Sequence, residues 1–77
     1  MSLTKREKEY IQNIGKRIIQ LREEKEIKQI ELAIAVNIED SALRRIETGR
    51  TNPTIKSLLR IADALDVELK ELLEFEE

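Results

Sequence analysis

An all-α domain of five short helices is the fold class this sequence predicts, on three observations. Apolar residues recur at three- and four-residue spacing through most of the chain. Helix-starting signals (Thr4 with Glu7, Thr54) alternate with helix-stopping ones (Asn37, Gly49, the Asn52-Pro53 pair, Asp66). Leu, Ile, Val and Phe supply 24 of the 77 residues, above the level of a disordered chain, so the chain is expected to fold as one domain around a single core. At this length one core is only just sufficient.

Thr4 followed by Glu7 is a capping box, in which hydroxyl and carboxylate each accept from the other residue's backbone N–H, and it starts the first helix. Ile11, Ile14, Ile18 and Leu21 continue that helix to about Lys25, with Tyr10 and Leu3 nearby. Gly15 lies inside it at a cost of ~1 kcal/mol relative to Ala, so the helix either bends or breaks there, or Gly15 marks a close approach to a neighbouring helix. Gln29 opens a second helix that ends near Val36, with Leu32, Ala33 and Val36 on one side. Asn37 supplies the turn, because Asn tolerates left-handed backbone better than most residues. The third helix runs from about Asp40 to Thr48 and is stopped by Gly49 at a C′ position. Pro53 holds Asn52 extended, and Thr54 caps a fourth helix whose expected face is Ile55, Leu58, Leu59, Ala62 and Leu65. Beyond Asp66 a short fifth helix carries Val67, Leu69, Leu72 and Leu73, before Phe75 and an acidic end.

Composition narrows the function classes. With no Cys and no His, the usual metal sites, thiol chemistry and imidazole acid–base catalysis are absent, and the remaining carboxylates, lysines and hydroxyls form no catalytic motif. No enzyme activity, cofactor or metal is therefore expected. No apolar run nears the ~18 residues of a membrane span, so a soluble cytoplasmic protein is expected. Taken alone, the net charge of −2 disfavours a polyanionic partner, but the charge is segregated. Residues 63–77 carry −6 and residues 1–62 carry +4.

The stretch Gln29 to Ile46, QIELAIAVNIEDSALRRI, concentrates the functional signal. Leu32, Ala33, Val36, Ile38, Leu43 and Ile46 can be buried together, which leaves Gln29, Ser41, Arg44 and Arg45 facing outward. Two short helices so disposed form a helix-turn-helix reader of DNA at helices two and three. On the third helix Leu43, Ile46, Ala42 and Glu47 share one half of the wheel, and Asp40, Ser41, Arg44, Arg45 and Thr48 the other. An Arg fork matches the O6 and N7 acceptors of guanine, so Arg44 and Arg45 are the expected guanine contacts. Asp40 either accepts from a cytosine amino group or pairs with Arg44 four residues on.

From Ile14 to Leu73 the chain resembles the phage repressor and Cro (XRE-type) family. The likeness rests on IGKRI, LRE, Q-x-ELA, RIE-x-GR-x-NP and LL-x-IA-x-AL-x-V followed by ELL, all in register. That resemblance implies a compact five-helix, lambda-repressor-like DNA-binding domain that enters the major groove of double-stranded DNA. It implies a homodimer on half-sites about one helical turn apart. Carried over by residue, it implies base reading by Asp40, Ser41, Arg44 and Arg45. Phosphate contacts fall to Lys28, Gln29, Thr48, Gly49, Arg50 and Asn52, those at Gly49 through backbone N–H groups. It further implies a structural ion pair between Arg22 and Glu47. The sequence departs from the family at Glu26, Asn37 and Asp66, where glycine is usual, and at Lys28 and Glu39, which replace hydroxyl caps.

The expected organisation is one helix-turn-helix domain over residues 1–77, with a family-like core at 14–73, an N-terminal helix extension at 4–13 and an acidic end at 74–77. The expected function is sequence-specific transcriptional regulation in the nucleoid, as a repressor on a palindromic operator. The alternative is a protein-interaction module, such as an antitoxin or adaptor, that uses Ile30 and Ile34, which lie opposite the core face of helix two. Leu73 and Phe75 either close a dimer interface or pack on the N-terminal extension around Tyr10.

Overall fold

A computed structural model describes residues 2–75 and contains four α-helices, α1 (Lys5–Glu24), α2 (Gln29–Val36), α3 (Asp40–Glu47) and α4 (Ile55–Leu65), followed by a 3₁₀ helix, Leu69–Leu73. The fifth helical segment is thus 3₁₀ and not α. Five residues leave little room for an α ladder, and the tighter pattern is common in such short pieces. Arg17 Nε of α1 donates to its Glu71 carbonyl at 2.8 Å, and Leu72 is fully buried. Among the described residues no helix is long and apolar enough to cross a membrane.

Every α-helix stops in the same way. Glu26, Asn37, Gly49 and Asp66 take left-handed backbone, with φ of 57°, 62°, 74° and 57°. In each case the next residue donates five residues back: Ile27 to Arg22, Ile38 to Ala33, Arg50 to Arg45 and Val67 to Ala62, at 2.8–3.0 Å. These are Schellman motifs, and they usually seat an apolar residue at the second position past the helix. Ile27, Ile38 and Val67 do pack on the core. Arg50 is the exception and is exposed.

Helix starts are capped with one exception. Thr4 and Glu7 form the reciprocal box, with bonds of 2.8 and 3.1 Å, and Thr54 Oγ1 accepts from Ser57 N–H at 3.1 Å. The Lys28 ammonium cannot accept a hydrogen bond, but Glu31 restores half a box by accepting the Lys28 N–H at 2.7 Å. Glu39 makes no side-chain cap at α3.

α1 runs unbroken through Gly15. A Cβ there would sit 2.5 Å from the carbonyl oxygens of Ile46 and Glu47, so the missing side chain is what lets α1 lie on the α3 backbone. The buried stripe of α4 is Leu58, Ile61, Ala62 and Leu65, turned from the expected face. Ile61 is fully buried, while Ile55 and Leu59 remain 63% and 45% exposed. α4 packs against α2, α1 and the 3₁₀ helix, and those three neighbours select the stripe. Phe75 packs edge-on against Tyr10, with ring centroids 5.5 Å apart, and so joins the chain's end to the N-terminal part of α1.

Two substitutions test this account by urea denaturation. Gly15→Ala should destabilise by about 2–3 kcal/mol or more, because backbone must move to admit the methyl group. Glu26→Gly should stabilise by up to about 1 kcal/mol by relieving a left-handed side-chain position, and a loss of stability would contradict the assigned conformation.

Candidate nucleic-acid interface

One buried carboxylate sets the geometry of the helix pair. Glu47, 3% exposed, accepts from Arg22 Nε at 2.8 Å and Nη2 at 3.3 Å, and from Gln29 Nε2 at 2.8 Å. The third arm of the guanidinium, Nη1, donates to the Ile27 carbonyl at 3.0 Å. α1, the α1–α2 connection, α2 and α3 therefore meet at one group. The low-dielectric setting strengthens each bond, and no buried side-chain polar atom among the described residues lacks a partner. Gln29, read from sequence as outward, is half-buried and holds the network with one amide hydrogen.

With Glu47, Leu43 and Ile46 turned inward, the opposite face of α3 presents Asp40, Ser41, Arg44, Arg45 and Thr48, all exposed. Arg22 with Glu47 is the only ion pair among the described residues, so Asp40 does not pair with Arg44. Both of those side chains extend into solvent with their charges available. Thr48 donates its hydroxyl to the Arg44 carbonyl at 2.8 Å, leaving its oxygen as an acceptor.

Both ends of α3 break the rules that the other helices keep. At its start no side chain accepts from the Asp40 or Ser41 amides, so two donors and the positive end of the helix dipole stay open. At its end the residue that elsewhere plugs the core is Arg50. The amides of Gly49 and Arg50 are engaged with Ile46 and Arg45, at 3.2 and 2.8 Å. The backbone donors left without a protein acceptor in this loop are those of Thr51 and Asn52. Asn52 was among the phosphate contacts expected from sequence, and Thr51 was not. Their signal was the Schellman spacing set by Gly49, which engages the amides at positions 49 and 50 and leaves the next two. Lys28 is exposed at the start of α2.

Residues 18–72 match the helix-turn-helix family HTH_3. Over 60 residues the chain is 33% identical to the immunity repressor protein of Bacillus phage phi105, covering 78% of this chain and 42% of that protein. The chain thus spans about two-fifths of that relative's length. The restriction-modification controller protein C.AhdI from Aeromonas hydrophila superposes with a TM-score of 0.78 at 32% identity, over 80% of this chain and 94% of that one. SinR, the master regulator for biofilm formation, solved in complex with DNA, superposes with a TM-score of 0.74 at 40% identity, over 79% and 98% of the two chains. These relatives are regulators and not enzymes.

Removing the buried carboxylate should unsettle the whole interface. Glu47→Ala should lower the unfolding free energy by about 3–5 kcal/mol, since it leaves the Arg22 charge poorly compensated. Gln29→Ala should lose only about 1–2 kcal/mol. Equal losses in urea titrations would contradict the ranking.

Proposed function

The chain belongs to the helix-turn-helix family HTH_3, and on that premise we propose that it is a sequence-specific, double-stranded-DNA-binding transcriptional regulator, a repressor that occupies a palindromic operator as a homodimer. The observation that carries the reading is α3. Its inner face is held by the Glu47 network, while Ser41, Arg44 and Arg45 stand exposed and unpaired on its outer face. In the major groove the two arginines meet guanine O6 and N7, and Asp40 accepts from a cytosine amino group, which offsets its repulsion by phosphates. Lys28, Gln29, Thr48, Gly49, Arg50 and Asn52 make up the phosphate-facing rim. Gln29 meets a phosphate with its second amide hydrogen, and the loop after Gly49 with the Thr51 and Asn52 amides. The 3₁₀ segment, with one Lys and one Glu, packs on α1 and α4, while the outer face of α3 carries two arginines against Asp40. Such a regulator works in the cytoplasm, on the nucleoid.

Homodimerisation is supported by the shortness of the reader, since eight residues contact too few base pairs for high specificity. The exposed Ile55 and Leu59 on α4 also support it, with Lys56 and Asp63 beside them. Two antiparallel α4 helices would bring Lys56 of each copy opposite Asp63 of the other. A second reading, docking of a protein partner, is favoured by Ile30 and Ile34 on the outer side of α2, 49% and 71% exposed. They border a shallow cleft with Ile38, Glu39 and Asp40.

Selection from randomised duplexes tests the first reading. It should enrich an inverted repeat with half-site centres ~10 bp apart or a multiple of that spacing. Arg44→Ala should lose about 1–3 kcal/mol of discrimination at one position, whereas Lys28→Ala should weaken all sequences alike and lower the salt slope by about 0.9. No enrichment, together with a stoichiometric protein partner lost in Ile34→Asp, would favour the second reading instead.

A further inference from the structure

We infer that the N-terminal part of α1 is a rigid DNA-backbone clamp, in which Lys5, Lys8 and Lys16 contact phosphates flanking the half-site that α3 reads. The inference rests on the DNA-binding reading above and adds a surface to it. Lys5, Lys8, Gln12 and Lys16 stand at i, i+3, i+7 and i+11 of one continuous helix and so form a single row. Gln12 fixes where that row lies. A Cβ on Gly49 would come within 2.7 Å of Gln12 Cγ and 3.0 Å of its Cα, so the row emerges directly beside the loop of Gly49, Arg50 and Asn52. From Gln12 the helix runs back about 10 Å to Lys5, beyond the α3 crossing at Gly15.

The lysines of this row are exposed and take part in no ion pair among the described residues. Of the nearby acids, Glu7 is engaged with the Thr4 amide, and Glu9 stands at the edge of the row. Arg6 is turned to another side, 5.4 Å from the Tyr10 ring centroid. The chain also holds this segment still. The Thr4 and Glu7 box closes its start, Phe75 packs on Tyr10, and Gly15 lies on the α3 backbone. A charged surface fixed in advance binds without the entropy loss of ordering an arm. Lys5 and Lys8 precede both the span matched by the family, 18–72, and the family-like stretch that begins at Ile14, so they add to the reader a surface that lies outside it.

The test compares the full chain with Lys5→Gln/Lys8→Gln and with Arg60→Gln/Lys70→Gln, which removes the same charge from α4 and the 3₁₀ helix. The probe is a mixed-sequence duplex, with affinity measured between about 50 and 200 mM salt. Each lost phosphate contact lowers the salt slope by about 0.9. The Lys5/Lys8 variant should therefore lose close to 2 units of slope, and its affinity loss across that salt range should shrink roughly tenfold, while the Arg60/Lys70 variant keeps the parent slope. Equal slopes for the Lys5/Lys8 variant and the parent would overturn the clamp and leave the DNA-binding reading standing. Equal reductions in both variants would also overturn it, as an effect of net charge alone. No binding by the parent would overturn both readings.

Discussion

The rest of the structure depends on a carboxylate buried where three helices cross. Glu47 holds Arg22 from α1 and Gln29 from α2, and the remaining guanidinium arm takes the Ile27 carbonyl as the chain turns between those helices. Buried ion pairs are weak sources of net stability, because desolvation offsets most of the attraction. Their value here is directional. Apolar contacts between Leu32, Ala33, Leu43 and Ile46 tolerate small slides of α2 against α3, whereas a fork of hydrogen bonds on one carboxylate does not. Because Glu47 is itself part of α3, fixing its side chain fixes the rotation of the helix that carries Arg44 and Arg45.

Gly15 completes that constraint from the other side. It admits the backbone of α3 against α1, so that the carbonyls of Ile46 and Glu47 occupy the space of a side chain. Both features meet α3 at Glu47, Gly15 at its carbonyl and Arg22, about two turns further along α1, at its side chain, and they pull in the same sense. Close approach brings Arg22 within reach of Glu47, and the pair then keeps the helices close.

The helix ends separate scaffold from interface. Three Schellman turns fold an apolar residue back on the core, at Ile27, Ile38 and Val67, and the turn after α3 carries Arg50 outward instead. All the other helices draw a side-chain acceptor to their starts, and α3 has none. Departures from local consistency are where a chain gives up stability for a surface. Both of the departures at helix ends fall on the same helix. Charge is segregated along the sequence as well, with residues 63–77 carrying −6 and residues 1–62 carrying +4.

The sequence by itself determined the starts and stops of the helices, because caps, left-handed turns and the Pro53 boundary act over four or five residues. Thr4 with Glu7, Asn37, Gly49, Thr54 and Asp66 each mark an end that the structure places within a residue or two. The outward face of α3 was legible for the same reason, since eight residues of wheel separate Leu43 and Ile46 from Ser41, Arg44 and Arg45. Tertiary structure decided the rest. Ile61 and not Leu59 is buried on α4, because neighbours distant in sequence choose among overlapping apolar stripes. Gln29 turns to Glu47 across 18 residues, and Asp40 stays apart from Arg44 although helical spacing would allow them to meet. Phe75 finds Tyr10, and Gln12 finds Gly49, only once α1 has crossed α3. Local signals set where a helix begins and ends, but the side it buries depends on partners that only the folded chain brings together.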